Sequence, residues 1–438
     1  MKNDRQAIKW PKFLYRYSRS LLLGLMTLVI ILGLHLLWGI PGLTQETTTL
    51  KVLVNALEAK EWSSLVEEFE EKNPQIEIEV VEGPTDSNLV ENLYSTAFLL
   101  GKSPYDLVYM DIIWVPKFAA AGWLQDLSGK IAPSELQDFL EKDIEAGRYK
   151  GGLYRIPFRS DVGVLYYRSD LLKQGGYEPP ENFDRLQIIA QELQQSTESN
   201  WGYLWQGKQY EGLSAMFVEV LEGYGGVWID PETKAVGLDK PEAIAAVEFL
   251  RHAIESGITP SGVTTYTESE SLRFFLNGES VFLRNWPYVW AEANKPSSPI
   301  QGKVGLKAMV HAPGESSGAA QGGWGLGIAK TSKHSEEAWK FIDFFTSRDS
   351  QKQYILDYSY IPSRRSLFRD PEVVDKYSYY PKLLQAIDNA VLRPPIPQYA
   401  QVSDILQRYL TAALTGSKTP EAAMKKAAAE TRRVLGTS

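Results

Sequence analysis

The sequence predicts an α/β fold in at least two lobes, and three observations carry that prediction. The chain has 438 residues, 44% of them apolar, which is room for two or three domains at roughly 100–200 residues each. Residues 50–54 (LKVLV), an amphipathic stretch over residues 62–69 and the alternating run 76–80 fall as strand, helix and strand at the spacing of a βαβ unit. The composition lacks cysteine and is rich in Trp (12) and Tyr (23), unlike a disordered, collagenous or disulfide-stapled chain.

Residues 1–20 hold six Lys/Arg against one acid, Asp4, and the next eighteen residues are apolar or Gly except for Thr27 and His35. A basic tip before an apolar run has the form of a secretory signal, and its flanking cations match the positive-inside rule. The run exceeds most signal cores and falls just short of the ~20 residues of a spanning helix. Residues 1–48 are therefore expected to be a signal peptide or an N-terminal membrane anchor with its linker. Without Cys no acylated lipoprotein can form. The whole chain carries a formal charge of −8 despite its basic tip, so the remainder repels phosphate backbones and no nucleic-acid partner is expected. The absence of Cys and the presence of only four His also argue against metal and thiol chemistry, and no cofactor is expected.

After the strand at 50–54, Trp62, Leu65, Val66 and Phe69 stand at i, i+3, i+4, i+7, a helix that Asn73-Pro74 stops. Residues 76–80 and 106–110 (DLVYM) read as strands of a parallel sheet, and 153–157 and 163–167 as short strands. Helices are predicted over 186–195, 243–256 and 272–277. A further helix should start at Ser335 as N-cap, with Glu336 and Glu337 in its first turn and a stripe of Ala338, Trp339, Ile342 and Phe345. The last helical region runs from about 402 to 435.

Three carboxylates follow strands or begin loops: Glu58 after LKVLV, Asp111 after DLVYM and Asp161 after IPFRS. In open α/β sheets ligands bind beyond the carboxyl ends of strands. Trp114, Tyr166, Trp205, Tyr210, Trp286, Tyr288 and Trp324 are the aromatic residues set beside them as candidate stacking surfaces. Acids accept hydrogen bonds from vicinal hydroxyls, while the C–H face of a pyranose stacks on a ring, so this company suits a sugar. Any one of these acids could equally be a cap or a solvated side chain, and Trp62 fits the core stripe of its helix. The stretch QGGWGLG (321–327) only loosely has dinucleotide-loop spacing and is followed by Ile328-Ala329-Lys330, so the nucleotide reading is rejected; its glycines bring backbone close to something flat or bulky, with Trp324 as platform.

The segments YDLVYMDIIWVPKFAAAGWL (105–124), LYRIPFRSDVGVLYYRSDLL (153–172) and WGYLWQGKQYEGL (201–213), with RNWPYVW (284–290), GGWGLGI (322–328) and RPPIPQY (393–399), resemble periplasmic solute-binding proteins of sugar-importing ABC transporters, especially the trehalose/maltose-binding branch of solute-binding family 1. The resemblance covers nearly everything after Thr49. It implies a two-lobed fold with a hinge and a ligand cleft, and no catalysis. Its lobes would be 49–158 with 302–352, and 159–301 with 353–438. Its sugar-reading groups fall on Glu58, Asp111, Asp161, Trp286, Gly323, Trp324 and Arg364, the last with an alternative register at Arg365. Where the pattern has Tyr, two residues before Asp161, this chain has Arg159. Arg159 would either meet a ligand acid or, the preferred reading, neutralise Asp161 or Asp111.

The resulting expectation is a monomeric periplasmic binding protein, released or tethered by residues 21–43. It would capture a glucose-containing disaccharide or glycoside of the trehalose, maltose, sucrose or glucosylglycerol type for a permease with cytoplasmic ATPases. A glycoside hydrolase, which also needs paired carboxylates and aromatic platforms, is the alternative from another class. A membrane-anchored sugar sensor is the third.

Overall fold

The computed structural model describes residues 47–437 apart from Leu57. The segment read as signal or anchor lies outside the described residues. No helix among the described residues is long and apolar enough to cross a membrane.

Numbered along the chain, the strands are β1 Thr48–Asn55, β2 Ile76–Gly83, β3 Leu107–Asp111, β4 Arg148–Tyr149, β5 Gly152–Leu153, β6 Ile156–Val162, β7 Val164–Arg168, β8 Trp201–Leu204, β9 Ser280–Asn285, β10 Val304–Ala308, β11 Gln321–Ile328 and β12 Ile361–Pro362. They form a six-stranded sheet in the order β12-β6-β11-β3-β1-β2, a four-stranded sheet β10-β7-β9-β8 and a small β4-β5 ladder. The predicted parallel pairing holds for β1 with β2 and β3. It stops at β11, which runs antiparallel to both β3 and β6. Strands in the second sheet are antiparallel except for β8 and β9.

Buried apolar side chains explain the helix positions. In Ser63–Lys72 the residues Leu65, Val66 and Phe69 turn inward. Trp62, which precedes that helix, is fully buried, its ring 4.7 Å from Tyr109 and 4.3 Å from Phe345. Asn73 ends the helix by donating from Nδ2 to the Phe69 carbonyl. The helix Ser335–Phe345 buries Ala338, Phe341, Ile342 and Phe345. Its cap residue is His334 rather than Ser335: the Ser335 hydroxyl is occupied by Gln125, which donates to it at 2.9 Å, and Ser335 becomes the first helical residue. The predicted C-terminal helical region is two helices, Tyr399–Leu414 and Pro420–Leu435. Gly416 at φ +78° turns the chain between them, and the Thr419 hydroxyl caps the second at Ala422 N.

Strand pairing fixes where the chain passes between the sheets. Residues 159–162, expected with the second lobe, are the latter half of β6 in the first sheet, and the chain enters β7 of the second sheet after Gly163. Residues 304–308, expected with the first lobe, pair with β7 in the second sheet. Residues 361–362, expected with the second lobe, pair with β6 at the edge of the first sheet, a position that tolerates Pro362, which has no N–H to donate.

Candidate functional site

β11 lies between β3 and β6, and its register sets Trp324 opposite Asp111 on one side and Arg159 on the other, with Gly322 opposite Asp161. Neighbouring strands stand about 4.8 Å apart, so four groups predicted from sequence are forced together by pairing alone. Arg159 and Asp161 are two residues apart on β6 and share a face. Glu58 reaches the same place from the turn after β1.

At the centre is Arg159. It donates from Nε to Glu58 Oε2 (3.1 Å) and from Nη2 to Glu58 Oε1 (2.8 Å), and its Nη1 pairs with Asp161. Its guanidinium lies 4.6 Å from the Tyr360 ring centroid and 5.8 Å from that of Trp324. Glu58 also accepts from Tyr109 (2.6 Å) and Asn55 (2.7 Å). Burial pushes the Glu58 carboxyl up, but Arg159 and these donors outweigh it and hold it below the usual range. Asp111 does not meet Arg159. It accepts from Arg393 Nη2 (3.1 Å), and Arg393 Nη1 donates to Glu211 Oε1 (2.6 Å). Of the two counter-charge partners weighed for Arg159, the structure supplies Asp161 and gives Asp111 another arginine.

These groups line one cavity of about 400 Å³. Glu58, Asp111, Arg159, Asp161, Trp286, Gly323 and Trp324 all face it, and Arg364 does not. The Arg364 guanidinium lies 4.0 Å from the Phe139 ring centroid and donates from Nε to the Thr346 carbonyl (3.1 Å), while Arg365 pairs with Asp388 at the surface. Two indoles form walls. Trp324 is half-buried against Tyr109 and Trp114, with centroids at 5.0 and 5.2 Å. Trp286 is underlain by Arg284, 4.2 Å from its ring centroid, and donates from Nε1 to Glu268 (3.2 Å). Gly323 has φ +142°, and a Cβ there would sit 2.9 Å from the Arg159 carbonyl, so the strand passes β6 only without a side chain.

Sequence reasoning missed Glu61, Glu211, Glu268 and Arg393. Glu61 accepts from Tyr354 OH (2.8 Å); burial and the neighbouring Glu58 charge push it up to about 7. Its signal was available three residues after Glu58. Arg393 opens the RPPIPQY segment already noted, but nothing local tells that it faces an aspartate 282 residues away. Among the described residues no group of His, Cys, Asp and Glu could hold a metal ion.

The bacterial extracellular solute-binding protein model matches residues 55–352. A probable ABC transporter-binding protein of Deinococcus radiodurans is 32% identical over 82% of this chain and 87% of its own length. The chain belongs to the bacterial extracellular solute-binding proteins. A maltotriose-binding protein of Pyrococcus abyssi is 29% identical over 79% of this chain and 72% of its own. The maltose-bound structure of MalE3 from T. maritima superposes with a TM-score of 0.85 at 36% identity, covering 89% of this chain and all of that one. The fold is thus the two-lobed periplasmic-binding-protein fold, and the protein binds a solute rather than transforming one, which removes the hydrolase reading.

Proposed function

We propose that this solute-binding protein captures a small glucose-containing glycoside, of the trehalose, maltose, sucrose or glucosylglycerol type, in the periplasm. It hands that solute to an ABC permease driven by cytoplasmic ATPases. One arrangement carries the reading: two half-buried indoles and several carboxylates share one cavity, so stacking and hydroxyl recognition are available to the same ring. Asp161 Oδ1 is buried without a hydrogen-bond partner, a position that a ligand hydroxyl would satisfy. The similarity to a maltose-bound structure and a maltotriose-binding relative supports the sugar class.

The ligand-reading set is Glu58, Asp111, Asp161, Trp286, Gly323 and Trp324, with Arg159 as counter-charge to Glu58 and Asp161. Arg364 is better suited to bracing the wall behind them. The lobes carry the first and second sheets respectively, and ligand bridging both shifts the open–closed balance by its higher affinity for the closed form. The protein acts as a monomer, released or held near the membrane by residues 21–43.

Calorimetric titration with trehalose, maltose, sucrose and glucosylglycerol tests the reading directly: at least one should bind, and Trp286→Ala and Trp324→Ala should each weaken it. Failure of all four, or full affinity in both variants, would overturn it. Arg159→Tyr separates the two roles of that position, because a ring face replaces a guanidinium that makes three hydrogen bonds to Glu58 and Asp161. An unchanged ranking of the sugars fits the counter-charge role, and a shift toward trehalose and maltose would make Arg159 a ligand contact.

A further inference from the structure

Charged groups around the cavity are unevenly matched. The lining residues include eight carboxylates against three cations. Every one of those cations is engaged. Arg159 is divided between Glu58 and Asp161, Arg393 between Asp111 and Glu211, and Lys208 lies 3.4 Å from Asp86. Glu292 turns to Lys295, which does not line the cavity. Two carboxylates face the space with only neutral donors: Glu61 with the Tyr354 and Tyr360 hydroxyls, and Glu268 with Tyr210 OH and Trp286 Nε1. Asp161 is only 5% exposed, and its Oδ1 has no partner. An anionic ligand would find no free cation here, whereas a ligand cation would find uncompensated charge.

Resting on the sugar reading, we propose that this site selects by charge: its preferred solute is a glycoside bearing a protonated amine, with Glu61 as the residue that meets the nitrogen, and uronic or phosphorylated sugars are rejected. Glu61 fits that role by position. Glu58 approaches it from the turn after β1, Arg159 from β6, Tyr354 and Tyr358 from the helix Arg348–Tyr358, and Tyr360 from the segment before β12. The one cation in that set already serves two other carboxylates, so Glu58 and Glu61 repel each other across a partly desolvated space. A ligand ammonium between them turns that repulsion into attraction. A neutral hydroxyl relieves it only by taking up Glu61 in its protonated form. At pH 8 Glu61 is ionised and attracts the amine; by pH 5.5 it has taken up a proton, since its carboxyl titrates at about 7.

The test uses the whole exported chain and, for the tightest-binding member of the four-sugar screen, its 6-hydroxyl, 6-amino and 6-carboxyl forms. The primary amine stays protonated throughout. At pH 8 the amino form should bind at least about tenfold tighter than the parent sugar and the carboxyl form at least about tenfold weaker. The amino-to-hydroxyl ratio should shrink toward one at pH 5.5, and in Glu61→Gln it should be near one at both pH values, whatever the absolute affinities. If the parent sugar binds and the amino form gains nothing at pH 8, the charge selection falls and the sugar reading stands. An amino preference that survives Glu61→Gln overturns the assignment to Glu61. If no parent sugar binds in any form, the sugar reading falls and this inference with it.

Discussion

At the scale of single residues, buried charge decides which side chains can read a ligand. Asp161 has one oxygen on Arg159 and one with nothing, so a ligand hydroxyl replaces no protein partner when it donates there. Asp161→Asn keeps the shape, weakens the acceptor and loosens one of the three hydrogen bonds that Arg159 makes. A hydrogen bond to a charged group is worth about 1.5–3 kcal/mol, so affinity should fall about tenfold to a hundredfold by calorimetry. Arg364→Ala makes the contrast. Its side chain packs on Phe139 and bonds the Thr346 carbonyl outside the cavity, so sugar affinity should stay within about threefold while the melting temperature drops. Loss of binding in Arg364→Ala without loss of stability would return it to the ligand shell. The carboxylates at strand ends were legible from sequence because strand-end position and chemistry coincide in them. Glu268 and Arg393 were not, because each faces the cavity through packing between segments distant in sequence.

At the scale of elements, the junction of the two sheets rests on one glycine. Gly163 separates β6 from β7, and a Cβ built on it would fall 1.7 Å from Glu219 Oε1 and 2.7 Å from Arg284 Nη2. Those two atoms belong to a fully buried ion pair: Arg284 Nε donates to Glu219 Oε2 at 2.7 Å, and Nη1 donates to Gln206 at 2.9 Å. The pair fastens the helix Glu211–Gly223 to β9, and its Arg284 also supports Trp286. Gly163→Ala should therefore cost more than ordinary overpacking, about 1–3 kcal/mol, because parting the pair leaves buried charge uncompensated. Thermal unfolding should show a clear drop in melting temperature, and an unchanged value would mean the junction relaxes freely. Elements with a strong period were legible: residues 50–54 and 76–80 alternate or run apolar, and the stripe at 62–69 repeats at helical spacing. β11 was read as a glycine stretch and not as a strand. Glycine has poor strand propensity, and what makes QGGWGLGI a central strand is the need to pass close to β3 and β6, which only pairing reveals.

At the scale of the whole molecule, Arg393 joins the two walls of the cavity. Asp111 ends β3 of the first sheet; Glu211 begins the helix that Arg284 fastens to the second, and Tyr399 and Ser403 hold the same Glu211 carboxylate from the C-terminal side. One guanidinium thus spans both walls behind the ligand space. The neighbouring carboxylates, acting against its burial, hold it charged well above the usual arginine range. If closing assembles this bridge, Arg393 stabilises the closed form whichever sugar is bound, and apparent affinity scales with the closed population. Arg393→Lys keeps the charge but loses the fork that serves two carboxylates at once. Every sugar that binds should then weaken by a similar factor, about tenfold, with the ranking unchanged, and small-angle scattering should show a smaller closed fraction at equal subsaturating ligand. A change in ranking would instead make Arg393 a direct ligand contact. Unaltered affinity with unaltered closure would show that the walls meet without it.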